Sequence, residues 1–314
     1  MIINTGMRTD IPAFYHEWLI NRIKEGFVLV RNPYNPSQVT RYSLSPEVVD
    51  LIAFCTKNPA PMIPHMEALK PYGQYWFVTI TPYGKDIEPN VPDKLKVMED
   101  FKRLSDTVGV DSVGWRYDPI FVDDKHCVEW HIEQFEHMAE TLSGYTKTCV
   151  ISFIDIYKKV ERNFPKAREV FKKDRLIIGK AFIEIAKKHD ITIRPCAEGN
   201  DLEIYGADCS GCMTVKTFET ALRVRLDVPK NRNRNQRNGE CACLLGTDVG
   251  AYDTCGHLCR YCYANTNPLL VKENMKKHDP NSPFLLGHSE PGDVIHQAEQ
   301  KSWIDYQMRL TDSR

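Results

Sequence analysis

Three cysteines near the end of the sequence are spaced closely enough to act together. Cys255, Cys259 and Cys262 follow the pattern Cys-x3-Cys-x2-Cys, and Tyr261 directly precedes the third cysteine. Three thiolates on one short loop can ligate three irons of a four-iron cluster and leave the fourth iron without a protein ligand. The spacing therefore predicts an iron–sulfur site with one open iron where chemistry can take place.

Two other kinds of metal site are alternatives for this loop. A structural zinc site needs four ligands, usually as two pairs, and pairing Cys259/Cys262 with Cys241/Cys243 leaves Cys255 over. A ferredoxin-like cluster needs four cysteines with repeated Cys-x2-Cys steps, which the sequence does not supply cleanly. The three-cysteine site uses its ligands without remainder.

The cysteines are unevenly distributed along the chain of 314 residues. Three of the eleven, Cys55, Cys127 and Cys149, lie in or beside apolar runs and are interpreted as core residues. The others crowd between residues 196 and 262, and we find no secretory signal, so grouped thiols are expected to bind metal in a reducing, cytoplasmic compartment.

A second centre is predicted from the crowded cysteines outside the loop. Four of them, namely Cys196, Cys212, Cys241 and Cys243, are expected to hold an auxiliary four-iron cluster, with Cys209 as the spare. Its role would be electron relay or substrate ligation. The alternative is that some of these residues are ordinary buried thiols.

Charge and hydropathy restrict the partners. The net charge is −1, so nucleic acid is not favoured globally, although the Arg/Asn-rich residues 230–239 could contact phosphates. A solvated loop is the alternative for that stretch. No run approaches the roughly 20 apolar residues that a membrane span requires, so no membrane partner is expected.

The elements that must position these residues alternate between strands and helices, which predicts a parallel sheet. We find no Gly-x-Gly-x-x-Gly after the first apolar run, so an α/β fold with a (β/α) barrel, partial or TIM-like, is favoured over a dinucleotide-binding sheet. The barrel is assigned to residues 1–229, and residues 230–314 form a cysteine-cluster segment and tail folded over its mouth.

In a barrel, active sites form at the carboxyl ends of the strands. Polar residues that follow predicted strands are therefore candidate catalytic residues: Arg8, Asp10, Lys57, Arg116, Asp118, Asp155 and Glu198. Arg194 and Cys196 end a further strand in the same way. Each residue could instead be a solvated loop residue or a helix cap.

The cysteine loop resembles a known signature. Residues 251–264, with a Tyr-Cys-Tyr-Ala run at the third cysteine, are similar to the radical S-adenosylmethionine (SAM) superfamily, especially the photolyase-related branch with spore photoproduct lyase. That superfamily carries the motif early in the chain, whereas here it follows the predicted barrel. Because the last strand of a barrel lies near the first, the segment can still reach the mouth beside residues 5–10.

The resemblance implies a function and several roles. Cys255, Cys259 and Cys262 would ligate a [4Fe-4S] cluster, SAM would bind the open iron, and Tyr261 would lie against its adenine. Arg116 or Arg194 would hold the SAM carboxylate, because guanidinium groups pair bidentately with carboxylates. Reductive cleavage would yield a 5′-deoxyadenosyl radical that abstracts hydrogen from an unknown substrate, with flavodoxin or ferredoxin as electron donor. For His257, a loop residue and a hydrogen-bond donor to the cluster remain alternatives.

The whole chain also resembles an uncharacterised bacterial and archaeal family with a C-terminal cysteine cluster. The resemblance is carried by residues 8–15, 56–59, 116–119 and 196–198 together with the loop. It implies no substrate. Two other functions stay open: an iron–sulfur protein that binds or repairs nucleic acid or senses redox state without cleaving SAM, and a zinc-stabilised barrel.

Overall fold

The computed structural model describes residues 1–229, 243–244 and 246–305. Within them, seven strands form one parallel sheet and three form a small second sheet. The strands are β1 (Ile2–Asn4), β2 (Phe27–Arg31), β3 (Gln38–Ser43), β4 (Leu51–Thr56), β5 (Gly73–Thr79), β6 (Val113–Ile120), β7 (Thr148–Phe153), β8 (Thr192–Pro195), β9 (Thr247–Asp248) and β10 (Val294–Gln297).

The helices connect the strands and begin at capping residues. They are α1 (Ile11–Phe14), α2 (His16–Glu25), α3 (Met66–Leu69), α4 (Lys94–Val108), α5 (Val128–Leu142), α6 (Lys158–Asn163), α7 (Lys172–Lys187), α8 (Val215–Leu222) and α9 (Pro268–Met275). Asp10, Asp93, Thr214 and Asn267 each accept a backbone N–H of the helix that follows, which satisfies donors left free at a helix start. Local sequence therefore sets where these helices begin.

The large sheet confirms the predicted α/β class with a parallel sheet. Its order is β8-β7-β6-β5-β4-β1-β9, and all neighbouring strands are parallel. The carboxyl ends of all seven strands therefore meet at one edge, which we call the carboxyl edge. Within the described residues β8 and β9 are not paired, so the sheet is open and the expected barrel, partial or TIM-like, is not confirmed.

The two faces of the sheet are covered differently. On one face Trp115 of β6 stacks on Phe135 of α5 with ring centroids 4.9 Å apart, and Phe135 stacks on Phe182 of α7 at 3.8 Å. On the other face Tyr75 of β5 meets Phe218 of α8 edge-on at 5.9 Å. The register places Arg116 and Arg194 on this second face, on either side of Val150 in β7. Cations therefore project on the face that α8 covers only in part.

The small sheet departs from the expected alternation. The apolar run that forms β2 pairs antiparallel with β3, and β10 pairs parallel with β3. A short apolar run has the same appearance in a parallel sheet and in a hairpin, so its partner is decided by tertiary contacts.

Residues on both sides of position 230 share one hydrophobic core. Leu244, Val249 and Trp303 are buried in the same cluster as Ile2 and Ile3 of β1. β9 pairs with β1 and extends the large sheet. The C-terminal part of the chain is thereby held beside the first strand.

None of the helices in the described residues is both long enough and apolar enough to cross a membrane.

Candidate functional site

The loop that carries Cys255, Cys259 and Cys262, here called the cysteine loop, is fixed from two sides. Asn265 donates its Nδ2 hydrogen to the carbonyl oxygen of Cys255 at 2.8 Å. Asn90, in the connection between β5 and α4, donates through Nδ2 to the Gly256 carbonyl at 2.8 Å and through its backbone N–H to the His257 carbonyl at 3.2 Å. These bonds hold the loop against residues that follow β5 at the carboxyl edge.

Gly256 is required by close approach. A Cβ atom at this position would lie 2.8 Å from Cε1 of Phe14, closer than real Cβ contacts. Phe14 also meets the His257 ring edge-on with centroids 4.7 Å apart. The end of α1 therefore packs directly on the backbone of the cysteine loop.

The three thiols of the loop are free; Cys259 is buried, and Cys255 and Cys262 are half-buried. None takes part in a disulfide. Burial raises the pKa of Cys255, Cys259 and Cys262, and neighbouring thiols raise the pKa of Cys255 and Cys259 further. Lys57 acts in the opposite direction and lowers the pKa of Cys259. The thiols therefore stay protonated on their own and need positive charge to bind as thiolates.

A hydrogen-bonded group of Lys57, Glu88 and Tyr261 lies beside Cys259. Lys57 Nζ lies 2.9 Å from Glu88 Oε1, and the Tyr261 hydroxyl donates to the same oxygen. Thr81 also donates to it, at 2.6 Å. Burial alone would lower the pKa of Lys57, but the Glu88 carboxylate raises it overall, so this amine keeps its charge inside the protein.

Asp10 joins the start of the chain to the cysteine loop. Its Oδ1 accepts the Ala13 N–H and caps α1, while Oδ2 accepts the Lys57 N–H at 2.7 Å and lies 2.8 Å from His257 Nε2. His257 Nδ1 is buried and has no hydrogen-bond partner among the residues that the structure describes. The imidazole is thus oriented from one side and keeps one buried polar atom available on the other.

A second set of thiols, Cys196, Cys212 and Cys243, is here called the second thiol group. The Sγ atoms of Cys212 and Cys196 are 3.7 Å apart, and those of Cys212 and Cys243 are 3.2 Å apart. The Met213 N–H donates to Cys243 Sγ at 3.3 Å. Cys241, the fourth predicted ligand, lies outside the described residues, and Cys209 is half-buried. Three of the four predicted ligands therefore meet.

Both arginines expected to hold a carboxylate already have protein partners. Arg116 pairs with Asp118 through Nη2 at 2.6 Å and Nε at 3.1 Å, and its Nη1 lies 3.9 Å from Cys212 Sγ. Arg194 donates to Thr217 Oγ1 at 2.8 Å, and its Nε lies 3.1 Å from Asp208 Oδ2. In this structure Arg116 therefore bonds to Asp118 and lies close to the Cys212 thiol of the second thiol group.

Three further candidates at the carboxyl edge also have partners. Arg8 Nε pairs with Asp248 Oδ2 at 2.6 Å. Glu198 accepts the Phe153 N–H at 2.8 Å and pairs with Arg175 at 3.1 Å. Asp155 is exposed and accepts the Tyr157 hydroxyl at 2.9 Å. Among the seven candidate catalytic residues, Asp10 lies within hydrogen-bond distance of His257 in the cysteine loop, and Lys57 pairs with Glu88 beside it.

Sequence reasoning missed Glu88. This residue lies nine residues after β5, beyond the strand-end positions that marked the other candidates. Cys55, expected to be a core residue, does pack against the hydrophobic core, and burial raises its pKa to about 12.

Both thiol groups lie at the carboxyl edge. A comparison with protein families covers the same region. The profile of the family described as domain of unknown function (DUF1848) matches residues 2–264. This chain belongs to the DUF1848 family. The matched part of this DUF1848 chain ends just after Cys262 and so contains the sheet and both thiol groups, while α9 and β10 lie beyond it. No curated protein and no solved structure matches the chain.

Among the described residues, no set of three or more His, Cys, Asp or Glu side chains is arranged to hold a single metal ion. Ligands of one ion must converge on one point. Each thiolate of a four-iron cluster binds a different iron, so its ligands need not converge in that way.

Proposed function

We propose that this DUF1848 chain is an iron–sulfur enzyme of the radical SAM type, with Cys255, Cys259 and Cys262 as the ligands of a [4Fe-4S] cluster. The observation that carries the proposal is that one loop brings three disulfide-free thiols, one buried and two half-buried, to the carboxyl edge of a parallel sheet. That edge is where open α/β sheets and barrels place their chemistry.

The donor set fits an iron–sulfur cluster. The three neutral thiols, with Cys259 near the charged Lys57, can lose their protons when bound iron supplies positive charge. His257 Nδ1 is a buried hydrogen-bond donor or acceptor within the loop that still lacks a partner, and hydrogen bonds to sulfur tune such clusters. When bound, a three-cysteine cluster would supply an open iron for SAM and the electron that cleaves it to methionine and a 5′-deoxyadenosyl radical.

The residues around the loop would then hold and shield the site. Lys57 would offset negative charge at Cys259, and Glu88 would fix both the Lys57 amine and the Tyr261 hydroxyl. Asp10 would hold the His257 ring through Nε2. Because these groups are buried and satisfy one another, they would exclude water from the side of the loop that faces the sheet.

The SAM carboxylate would pair with Arg116 or Arg194. Arg116 is favoured because its guanidinium also lowers the pKa of Cys55, and so lies close to the centre of the carboxyl edge. A carboxylate ligand there would share the guanidinium with Asp118 or replace it.

A partial barrel is the finer description of the fold that we favour. From β1 to β8 the strands of the large sheet follow chain order without reversal, whereas a doubly wound sheet reverses its order at a switch point. Sequential order with α5 and α7 stacked on one face is the arrangement of a (β/α) barrel that has not closed.

The auxiliary cluster at Cys196, Cys212, Cys241 and Cys243 stays a prediction, and one observation favours a zinc ion there instead. Tetrahedral ligands at a metal–sulfur distance of about 2.3 Å are separated by about 3.8 Å. The Cys196–Cys212 separation of 3.7 Å is close to that value, whereas the Cys212–Cys243 separation of 3.2 Å is shorter. The described thiols alone do not complete such a site, which would need a fourth ligand.

Anaerobic purification, reconstitution with iron and sulfide, and metal counting test the proposal. About four irons would indicate one cluster and about eight would indicate two, while four irons with one zinc would favour zinc at the second thiol group. Dithionite and SAM should then give 5′-deoxyadenosine. Cys259→Ala should abolish its formation, and the control Cys209→Ala should not.

The same experiment separates the alternative functions. Zinc without iron would favour a zinc-stabilised α/β protein and reject the proposal. Iron without SAM cleavage would favour a redox sensor or a nucleic-acid-binding protein. The basic residues 230–239 that motivate the nucleic-acid alternative lie outside the described residues.

A further inference from the structure

A groove of about 540 Å³ lies between the cysteine loop and α9. Its lining is mostly apolar and includes Gly256 and Leu258 from the loop, with Leu269, Val271 and Met275 from α9. Leu269 is 75% exposed, although it is a large apolar side chain on a folded helix. An exposed apolar patch bordered by polar residues is typical of an interaction surface.

The charges at this groove are positive. Lys272 on α9 and Lys276 at its C-cap line it, lie one helical turn apart and are both exposed. The other polar side chain among its described lining residues is Asn90. An apolar centre with a basic rim is complementary to a partner with an acidic face.

The groove also includes chain neighbours of two candidate cluster ligands. Gly256 and Leu258 stand between Cys255 and Cys259 in the chain, so the loop that carries the thiols forms part of its wall. Asn90 holds this wall through the Gly256 carbonyl at 2.8 Å. A partner bound in the groove would therefore contact the backbone at Gly256 and Leu258, next to the candidate ligands Cys255 and Cys259.

We propose that this groove docks an acidic electron-transfer protein that reduces the cluster of the cysteine loop. The inference rests on the proposed function. In each encounter one electron passes from the reduced flavin or iron–sulfur centre of the partner to the cluster, and the partner leaves oxidised by one electron. Lysine steering with a small apolar contact suits such short-lived complexes, which need fast association more than tight binding.

The test compares Lys272→Glu/Lys276→Glu with a control, Lys96→Glu/Lys173→Glu, which reverses two exposed lysines on α4 and α7. The probes are flavodoxin hydroquinone and reduced ferredoxin, mixed with the reconstituted full chain. Bleaching of the cluster absorbance gives the second-order rate of reduction. Iron content and reduction by dithionite are measured for every variant.

At low salt we expect at least one donor to reduce the unmodified chain. The groove variant should react at about one-tenth of that rate or below. The control variant should react at the unmodified rate. Raising the salt concentration should slow the unmodified chain and shrink the difference, because surface charges are screened. Leu269→Asp, which removes the apolar contact without reversing a lysine, should slow the reaction as well.

Equal rates for the groove and control variants with both donors would overturn the docking proposal. It would also be overturned if dithionite bleaches the cluster and neither donor does. A third contrary result would be that the groove pairs two copies of this chain and that dilution to monomers leaves the reduction rate unchanged in both variants. A preparation without iron or visible absorbance would instead overturn the proposed function.

Discussion

The two thiol groups of this DUF1848 chain are assembled in opposite ways. The cysteine loop gathers its thiols from eight consecutive residues, 255–262, and its charged neighbours Lys57 and Glu88 come from the segments that follow β4 and β5. The second thiol group gathers Cys196, Cys212 and Cys243 from three separate segments, and its sulfurs contact one another at 3.2 and 3.7 Å. A local motif can be recognised without a structure, whereas a group built from distant segments depends on the fold.

Their surroundings differ as well. Lys57 and Tyr261 at the cysteine loop both bond to one carboxylate oxygen of Glu88, so its charges are enclosed in a hydrogen-bonded group. At the second thiol group Arg116 divides its donors between Asp118 and Cys212. The comparison suggests a site for chemistry at the loop and a structural or relay site at the second group.

The largest difference should separate Cys262→Ser from Cys243→Ser. Loss of a cluster ligand at the loop should reduce 5′-deoxyadenosine formation by about 100-fold or more, since even outer partners of metal ligands cost 10–100-fold. Cys243→Ser should lower total metal content and keep the loop cluster. Iron counting and a dithionite-driven assay give both values. Equal loss of cleavage in the two variants would merge the two sites into one functional unit.

Glu88→Gln should destabilise the fold by about 3–5 kcal/mol, because it leaves the buried Lys57 ammonium without its counter-charge. Urea unfolding of the protein without metal measures the change. Lys57→Met/Glu88→Gln is the matched control and should recover much of the loss. If the single and double variants unfold at the same urea concentration, Lys57 does not depend on Glu88 for its charge.

Lowering the pH should reduce the free energy of unfolding by the same amount in variants of either thiol group. The histidine responsible, His131, lies on the opposite sheet face. His131 bonds to the Tyr117 hydroxyl and the Phe121 carbonyl, and burial lowers its pKa from 6.5 to about 4. A lowered histidine pKa gives stability that is full above pH 6.5 and falls as the pH drops towards 4, by about 3 kcal/mol in total. Denaturant unfolding across this range should show the loss, and His131→Gln should flatten it.

Gly256→Ala should cost about 1–3 kcal/mol, since its Cβ atom would meet Phe14 at 2.8 Å. The change should also shift the cysteine loop and reduce SAM cleavage. Combining it with Phe14→Leu opens space and should restore part of both. A stable and fully active Gly256→Ala protein would show that the loop tolerates movement at this contact.

The smallest loss in the free energy of unfolding, about 1–2 kcal/mol, is expected for Arg116→Lys. Lysine keeps the charge near Asp118 and Cys212 but loses the bidentate geometry. Metal content at the second thiol group should fall more than iron at the loop. A uniform loss from both sites would argue that Arg116 supports the carboxyl edge as a whole.

Much of the fold was predictable from local patterns. The segment 128–142 has helical periodicity and forms α5 over those residues, and the run that forms β5 is rich in β-branched and aromatic residues, as is typical of a strand. The antiparallel pairing of β2 with β3 does not follow from the apolar run of β2, because tertiary contacts decide its partner. β9, two residues long, gave no usable periodic signal.

The candidate site divides along the same line. The spacing of Cys255, Cys259 and Cys262 and the acid that caps α1 are local features, so sequence alone determined a three-thiol loop and the start of the helix beside it. The tertiary structure decided that Glu88 joins Lys57 to Tyr261, that Arg116 turns to Asp118 and Cys212, and that α9 forms a basic groove over the loop. Hydrogen bonds and charge pairs act over a few ångströms in space, whatever the distance along the chain, and only folding brings those partners into range.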